Sequence, residues 1–184
     1  MHLHVISPTP RNEARESGPA ESRARRYGVV AARLVSALAL LAVGAIHIQQ
    51  YYVADYRVIP TIGTLFFLNF IAATILGLYL LVPAPRNAGP LRRAVDALAA
   101  LGGLGVAVTS LIALFISEQT PLFGFMEHGY RLEIMVAIIS EAVATVALVA
   151  FLGLTWRAIG RIRRPRRQSG ARVGIEPAST AIKP

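Results

Sequence analysis

Two polar side chains stand where lipid is expected. Glu141 and Asn69 each fall near the middle of a long apolar run, at a depth where even lenient scales put the cost of an ionised acid at about 2.5 to 3.5 kcal/mol. Neither should face hydrocarbon. Glu141 shares a helical stripe with Ala137, Ala144 and Thr145, with Ser140 alongside, and Asn69 shares its face with Ala72 and Ala73. Small residues at these spacings let helices approach closely, so Asn69 and Glu141 are predicted to point into a bundle as a buried polar pair. An acid held protonated at that depth would donate to the Asn69 side-chain carbonyl. Such a pair has two uses. It can tie helices together, worth about 0.6 to 2 kcal/mol, or it can be a carboxyl at which proton and substrate compete. No second buried acid or base completes a relay, and the tie is the favoured reading.

A second group of residues lies at the edges of the apolar runs. The segments HIQQYYVADYRVIP (47–60) and SEQTPLFGFMEHGYRLE (117–133) carry His47, Asp55, Glu118, Glu127, His128 and Glu133, with Tyr51, Tyr52, Tyr56 and Tyr130 among them. Imidazole and carboxylate are ligands for hard or borderline cations, which makes these six a candidate outer-face cation site. The plainer reading is an interfacial tyrosine belt with loop acids and histidines facing water. No pair has a metal spacing such as His-x-x-x-His, and His2 and His4 belong to the opposite side. His47 and His128 are also the pair that a bis-histidine haem would use, although His128 stands in a Gly-flanked loop rather than in a helix. No cofactor is therefore predicted, with a metal ion or haem as alternatives. The absence of cysteine excludes disulfides and thiolate chemistry.

These residues need long helices to position them. Hydrophobic residues make up 54% of the 184 positions and the mean hydropathy is +0.53, too apolar for an ordinary soluble domain. Four apolar blocks, about 29–50, 60–82, 94–117 and 132–156, each reach the roughly 20 residues that a membrane-crossing helix requires. Pro60 opens the second, and Pro83, Pro85 and Pro90 fill the next gap. The fold class is all-α: an antiparallel four-transmembrane-helix bundle over residues 29–156. Residues 1–28 and 157–184, polar and rich in arginine, are expected to be disordered tails. The first helix is expected to act as an uncleaved anchor.

Of the 19 basic residues, all but Arg57 and Arg131 fall in the two tails, the first turn of helix one or the middle gap. The positive-inside rule then puts both termini in the cytoplasm of a multi-pass cell-membrane protein. Arg157, Arg161, Arg163, Arg164, Arg166 and Arg167 follow the last helix directly and are placed to meet anionic lipid headgroups, at about 1 kcal/mol each. With this location the net charge of +9 is read as topology and lipid contact, not nucleic-acid binding. Helix three carries Gly102, Gly103 and Gly105, a close-packing surface for the bundle, a homo-oligomer or a membrane partner protein.

A short internal echo links the hairpins. Tyr56-Arg57 precedes helix two as Tyr130-Arg131 precedes helix four, and NFIAAT (69–74) is similar to EAVAT (141–145), an arrangement that would put Asn69 and Glu141 at similar depth. The run HIQQYYVADYRVIPTIGTLFFLN, then LFGFMEHGY and a glutamate-bearing fourth helix, resembles small four-helix integral membrane proteins of high-GC Gram-positive bacteria. The resemblance covers about residues 29–156. It implies the topology and supplies no mechanism.

The leading expectation is a non-enzymatic accessory, sensing or envelope-associated membrane component with an outward-facing polar vestibule. The alternatives are a proton-linked transporter or cation-binding protein using Glu141 with the outer His and Glu residues, and a haem protein using His47 and His128. The topology has a direct test, because the chain has no native cysteine. Single cysteines placed in either tail should resist a membrane-impermeant maleimide applied to intact cells and react after permeabilisation; labelling from outside would reverse the orientation.

Overall fold

The structure, a computed structural model, describes residues 13–83, 85, 88–127, 129 and 131–162, with the backbone path alone for 13–22 and 157–162. The elements are α1 (Glu13–Val53), α2 (Pro60–Leu81), α3 (Pro90–Gln119) and α4 (Leu132–Ile162), with a 3-10 turn at Tyr56–Val58 between α1 and α2. All four helices are long and apolar enough to cross a membrane. The protein is a multi-pass membrane protein of the all-α class.

The helices outrun the apolar blocks. α1 starts at Glu13, not Val29, because Ala, Glu and Arg dominate residues 13–26 and are good helix formers whether or not lipid surrounds them. Its extension also finds a partner: Arg25 Nη2 donates to the Leu154 carbonyl of α4 at 2.8 Å. α3 begins at Pro90, whose fixed φ and missing N–H suit a first helical position. α4 runs to Ile162 rather than Trp156, carrying Arg157 and Arg161 on helical backbone. Residues 1–12, with His2 and His4, and residues 163–184, with Arg163, Arg164, Arg166 and Arg167, lie outside the described residues.

Each helix packs on its chain neighbours and α4 closes the ring against α1, while α1 and α3 barely meet across the diagonal. The bundle therefore has a terminal end, with the start of α1, the end of α4 and the connection 82–89, and a loop end, with connections 54–59 and 120–131. Ala37, Leu40, Val43, Ala73, Ala100, Leu148 and Phe151 form the core between them. Close approach depends on missing side chains. A Cβ on Gly103 would lie 2.8 Å from Leu40 Cδ1, and one on Gly77 would lie 3.1 Å from the Ala37 carbonyl oxygen. Gly103 thus turns the α3 glycine face toward the bundle, whereas a Cβ on Gly105 would meet open space. Leu38, Ile75, Leu98 and Val146 are exposed on the outside of the four helices, as apolar residues facing lipid must be.

One polar cluster sits near the terminal end. Buried Arg33 of α1 pairs through Nη1 with Asp96 Oδ2 of α3 at 3.2 Å. Its Nε and Nη2 donate to the Leu80 and Val82 carbonyls at 2.8 and 2.9 Å, which α2 leaves unsatisfied at its C-terminus. Asp96 Oδ1 accepts from the Tyr79 hydroxyl at 2.9 Å and from Arg92 Nε at 3.1 Å. Three helices are thereby joined by one carboxylate. Removing that carboxylate leaves a buried guanidinium without its counter-charge, so Asp96→Ala is expected to destabilise by about 3 to 5 kcal/mol. Arg92→Ala, at a more exposed position, should cost under about 1 kcal/mol. Thermal unfolding of both variants in detergent, followed by circular dichroism, checks the order.

Candidate functional site

The loop half of the bundle is built differently from the terminal half. Leu40, Leu80, Leu148 and Phe151 are buried in the half below, whereas above it the small residues Ala72, Ala113 and Ala137 border open space. A cavity of about 420 Å³ results, bounded by all four helices and both loop-end connections. Its walls are mostly apolar, with Ile46, Leu65, Phe66, Val106, Leu114 and Ile134 among them. Into this lining project His47, Gln50, Asn69, Ser110 and Glu141. A roomy apolar pocket with a few convergent polar groups is the usual form of a small-molecule site.

His47, Ser110 and Glu141 form one unit. His47 Nδ1 lies 2.8 Å from the Val43 carbonyl oxygen, and since a carbonyl only accepts, Nδ1 carries the proton. Nε2 then faces Ser110 Oγ at 3.1 Å and Glu141 Oε1 at 3.7 Å. His47 and Glu141 thus face each other through one imidazole nitrogen and one carboxyl oxygen, with the Ser110 hydroxyl beside them. One proton can rest on the Glu141 carboxyl with His47 neutral, or on His47 Nε2 with Glu141 ionised. The unit holds one transferable proton in either arrangement. His47, at 6% exposure, and Glu141, at 1%, are both inside the bundle, where a proton has few other places to rest.

Asn69 is not the partner of Glu141. Both line the cavity, but Asn69 Oδ1, Gln50 Oε1 and Glu141 Oε2 are buried acceptors without a hydrogen-bond partner among the described residues. The expected tie is replaced by the contact of Glu141 with His47. That contact also supplies the second buried titratable group that a relay needs. His47 reads in the sequence as the outer edge of helix one; α1 continues past it to Val53, so His47 sits inside a helix long and apolar enough to cross a membrane.

The five described residues of the candidate outer cation site do not come together. His47, Glu127 and Glu133 line the cavity. Asp55 is exposed and holds Arg57 at 3.1 Å, and Glu118, half-buried near the end of α3, does not line the cavity. Among the described residues no three His, Asp or Glu side chains come together as a metal-holding group. His128, needed for both the cation and the haem readings, lies outside the described residues.

A polar and aromatic cap closes the loop end. Residues Leu122 and Phe125 exchange backbone hydrogen bonds at 2.8 and 3.0 Å around Phe123 and Gly124, both with positive φ, the backbone of a tight two-residue hairpin turn. This turn sets Phe125 edge-on to the Tyr56 ring at 5.3 Å, and Tyr56 stacks at 4.7 Å on Phe66, which in turn meets His47 at 5.1 Å. The Tyr56 hydroxyl donates to Glu127 and accepts from Arg131 Nη2 at 2.9 Å. Arg131 also pairs with Glu127 Oε1 at 3.2 Å. The two connections are thus locked together over the cavity. Belt, charge and the short hairpin echo are the sequence signals at Tyr56 and Arg131, and none pairs the two, since the contact joins separate loops.

Burial and the adjoining Glu127 carboxylate push the Tyr56 hydroxyl up to about 12 from its ordinary value of 10.0. Below pH 10 this tyrosine is protonated folded or unfolded and adds no pH dependence. Between about pH 10 and 12 the unfolded chain releases the proton first, so stability falls as pH rises. The wild-type protein should lose stability over this window relative to Tyr56→Phe, which has no hydroxyl to titrate; parallel curves for the two in alkaline thermal unfolding would show that Tyr56 is not so placed. No protein-family model, curated protein or solved structure matches the chain.

Proposed function

We propose that this protein is a proton-linked binding protein of the cell membrane that holds a small, mostly apolar molecule in the cavity at its loop end, with both termini in the cytoplasm and the cavity turned outward. The observation that carries this reading is the convergence of the His47–Ser110–Glu141 unit on an otherwise apolar cavity of about 420 Å³. A structural polar tie would need no such space, and its acceptors would be filled, as those of Asp96 are. The accessory or sensing role expected for the chain becomes ligand sensing under this reading, and transport would follow if the terminal end also opens.

The arginines that begin with Arg157 and Arg161 support the orientation, holding the terminal end against anionic headgroups of the inner leaflet. Haem has no support from geometry, because both nitrogens of His47 already face protein groups.

Three probes of one shape and different charge test the cavity: aminoadamantane, adamantanol and adamantanecarboxylate, added to purified protein in detergent while thermal unfolding is followed. At least one should raise the melting temperature of wild-type protein and fail to do so in Ala137→Phe, which fills the cavity. The unliganded melting curve of that variant shows whether it is folded. If none of the three stabilises the wild type, the cavity is not a binding site for molecules of this class.

A further inference from the structure

The proposed binding role leaves open what the ligand is, and the polar atoms of the cavity narrow it. Glu141 Oε2, Gln50 Oε1 and Asn69 Oδ1 are all oxygens, all buried, and all without a hydrogen-bond partner among the described residues. Glu141 and Gln50 are 1% and 5% exposed. Unanswered acceptors in a buried site disfavour any ligand that cannot donate.

Charge points the same way. Arginine and lysine are absent from the lining, and its acids are Glu127, Glu133 and Glu141. Glu127 is answered by Arg131, whereas Glu141 has only His47 within ion-pair reach. An anion would enter with no cation to receive it. A polyol would strand its hydroxyls against Leu65, Val106 and Leu114. A bare metal ion would find no three ligating groups together among the described residues. The aromatic face formed by Phe66, Tyr56 and Phe125 is attractive to an organic cation.

Resting on the binding role above, we infer that the ligand is a lipophilic amine: an ammonium group whose N–H donors meet Glu141 and its neighbouring acceptors, on an apolar body that fills the cavity. The proton balance follows from the His47–Ser110–Glu141 unit. A protonated amine forms its ion pair with the Glu141 carboxylate, and the proton the unit held leaves to solvent, so one cation enters as one proton departs. No covalent bond is made or broken apart from O–H or N–H. The other titratable groups facing this exchange are His47 of α1, Glu133 of α4, and Tyr56 and Glu127 of the connections; α2 and α3 bring none to the lining.

Isothermal titration of wild-type protein with aminoadamantane, repeated in two buffers of different ionisation enthalpy, counts the protons released. About one is expected per amine bound, with affinity falling roughly tenfold per pH unit on the acid side, the slope for a single competing proton. Glu141→Gln should lose proton release and bind the amine at least tenfold more weakly, while keeping its affinity for adamantanol and its unliganded melting temperature. Adamantanol binding wild type as tightly as the amine, or proton release persisting in Glu141→Gln, overturns the amine assignment and leaves the cavity as a binding site. Failure of all three adamantyl probes removes both.

Discussion

A polar group carried into hydrocarbon has no water to turn to, so it must be answered by other groups of the same bundle. This protein carries two clusters under that constraint and treats them in opposite ways. At the terminal end each of the three guanidinium nitrogens of Arg33 is engaged and both oxygens of Asp96 are occupied. The result is a saturated network that joins α1, α2 and α3 and has nothing left to offer. Near the loop end, Glu141 turns one oxygen toward His47 and has no partner for the other among the described residues. A buried network with an unfilled acceptor is poor as scaffolding and apt as a receptor.

Side-chain volume explains why the unsaturated cluster has room around it. Leucine and phenylalanine from α1, α2 and α4 interlock below, with Gly103 and Gly77 letting the backbones close in. Above, Ala72 of α2, Ala113 of α3 and Ala137 of α4 line the space inside a ring of four helices whose diagonals scarcely touch. Interiors close-pack wherever side chains permit, so the space is a property of the sequence at Ala72, Ala113 and Ala137. The cap then fixes the upper boundary, since Tyr56 and Phe125 are held by a short turn whose Phe123 adopts a φ of 52°. That left-handed conformation is uncommon for an aromatic residue. It costs on the order of 1 to 3 kcal/mol where the surroundings enforce it, and here it brings Phe125 onto Tyr56.

The His47–Ser110–Glu141 unit gives the cavity a chemical character that neither titratable residue has alone. A lone buried acid would be a neutral donor and a lone buried histidine a neutral acceptor. Set 3.7 Å apart, they share one proton between two arrangements, and a charged neighbour selects between them. Binding and protonation are then coupled through side chains that already touch, with no helix movement required for the first step.

Much of the architecture is legible along the chain. Apolar runs of bilayer length dictate helices because no other open structure satisfies its backbone in lipid, and the arginines sort the ends. Asn69 and Glu141 are legible as inward-facing, since the penalty for facing lipid depends only on depth. Partners are another matter. Glu141 meets His47 and Ser110, and Arg33 meets Asp96, across helices whose order and rotation arise from packing, and no spacing within one helix encodes them. Asp96 stands four residues after Arg92 in an apolar stretch, a hint of a buried acid, but Arg33 reads only as one more topological charge. The length of α1 beyond the bilayer rests on helix propensity and on Arg25 reaching α4, not on hydrophobicity. Composition and period thus determined which segments cross the membrane and which residues turn inward, because those choices are made between lipid and water. The tertiary structure alone decided which polar groups meet and where space remains, because those choices are made between side chains distant in the chain.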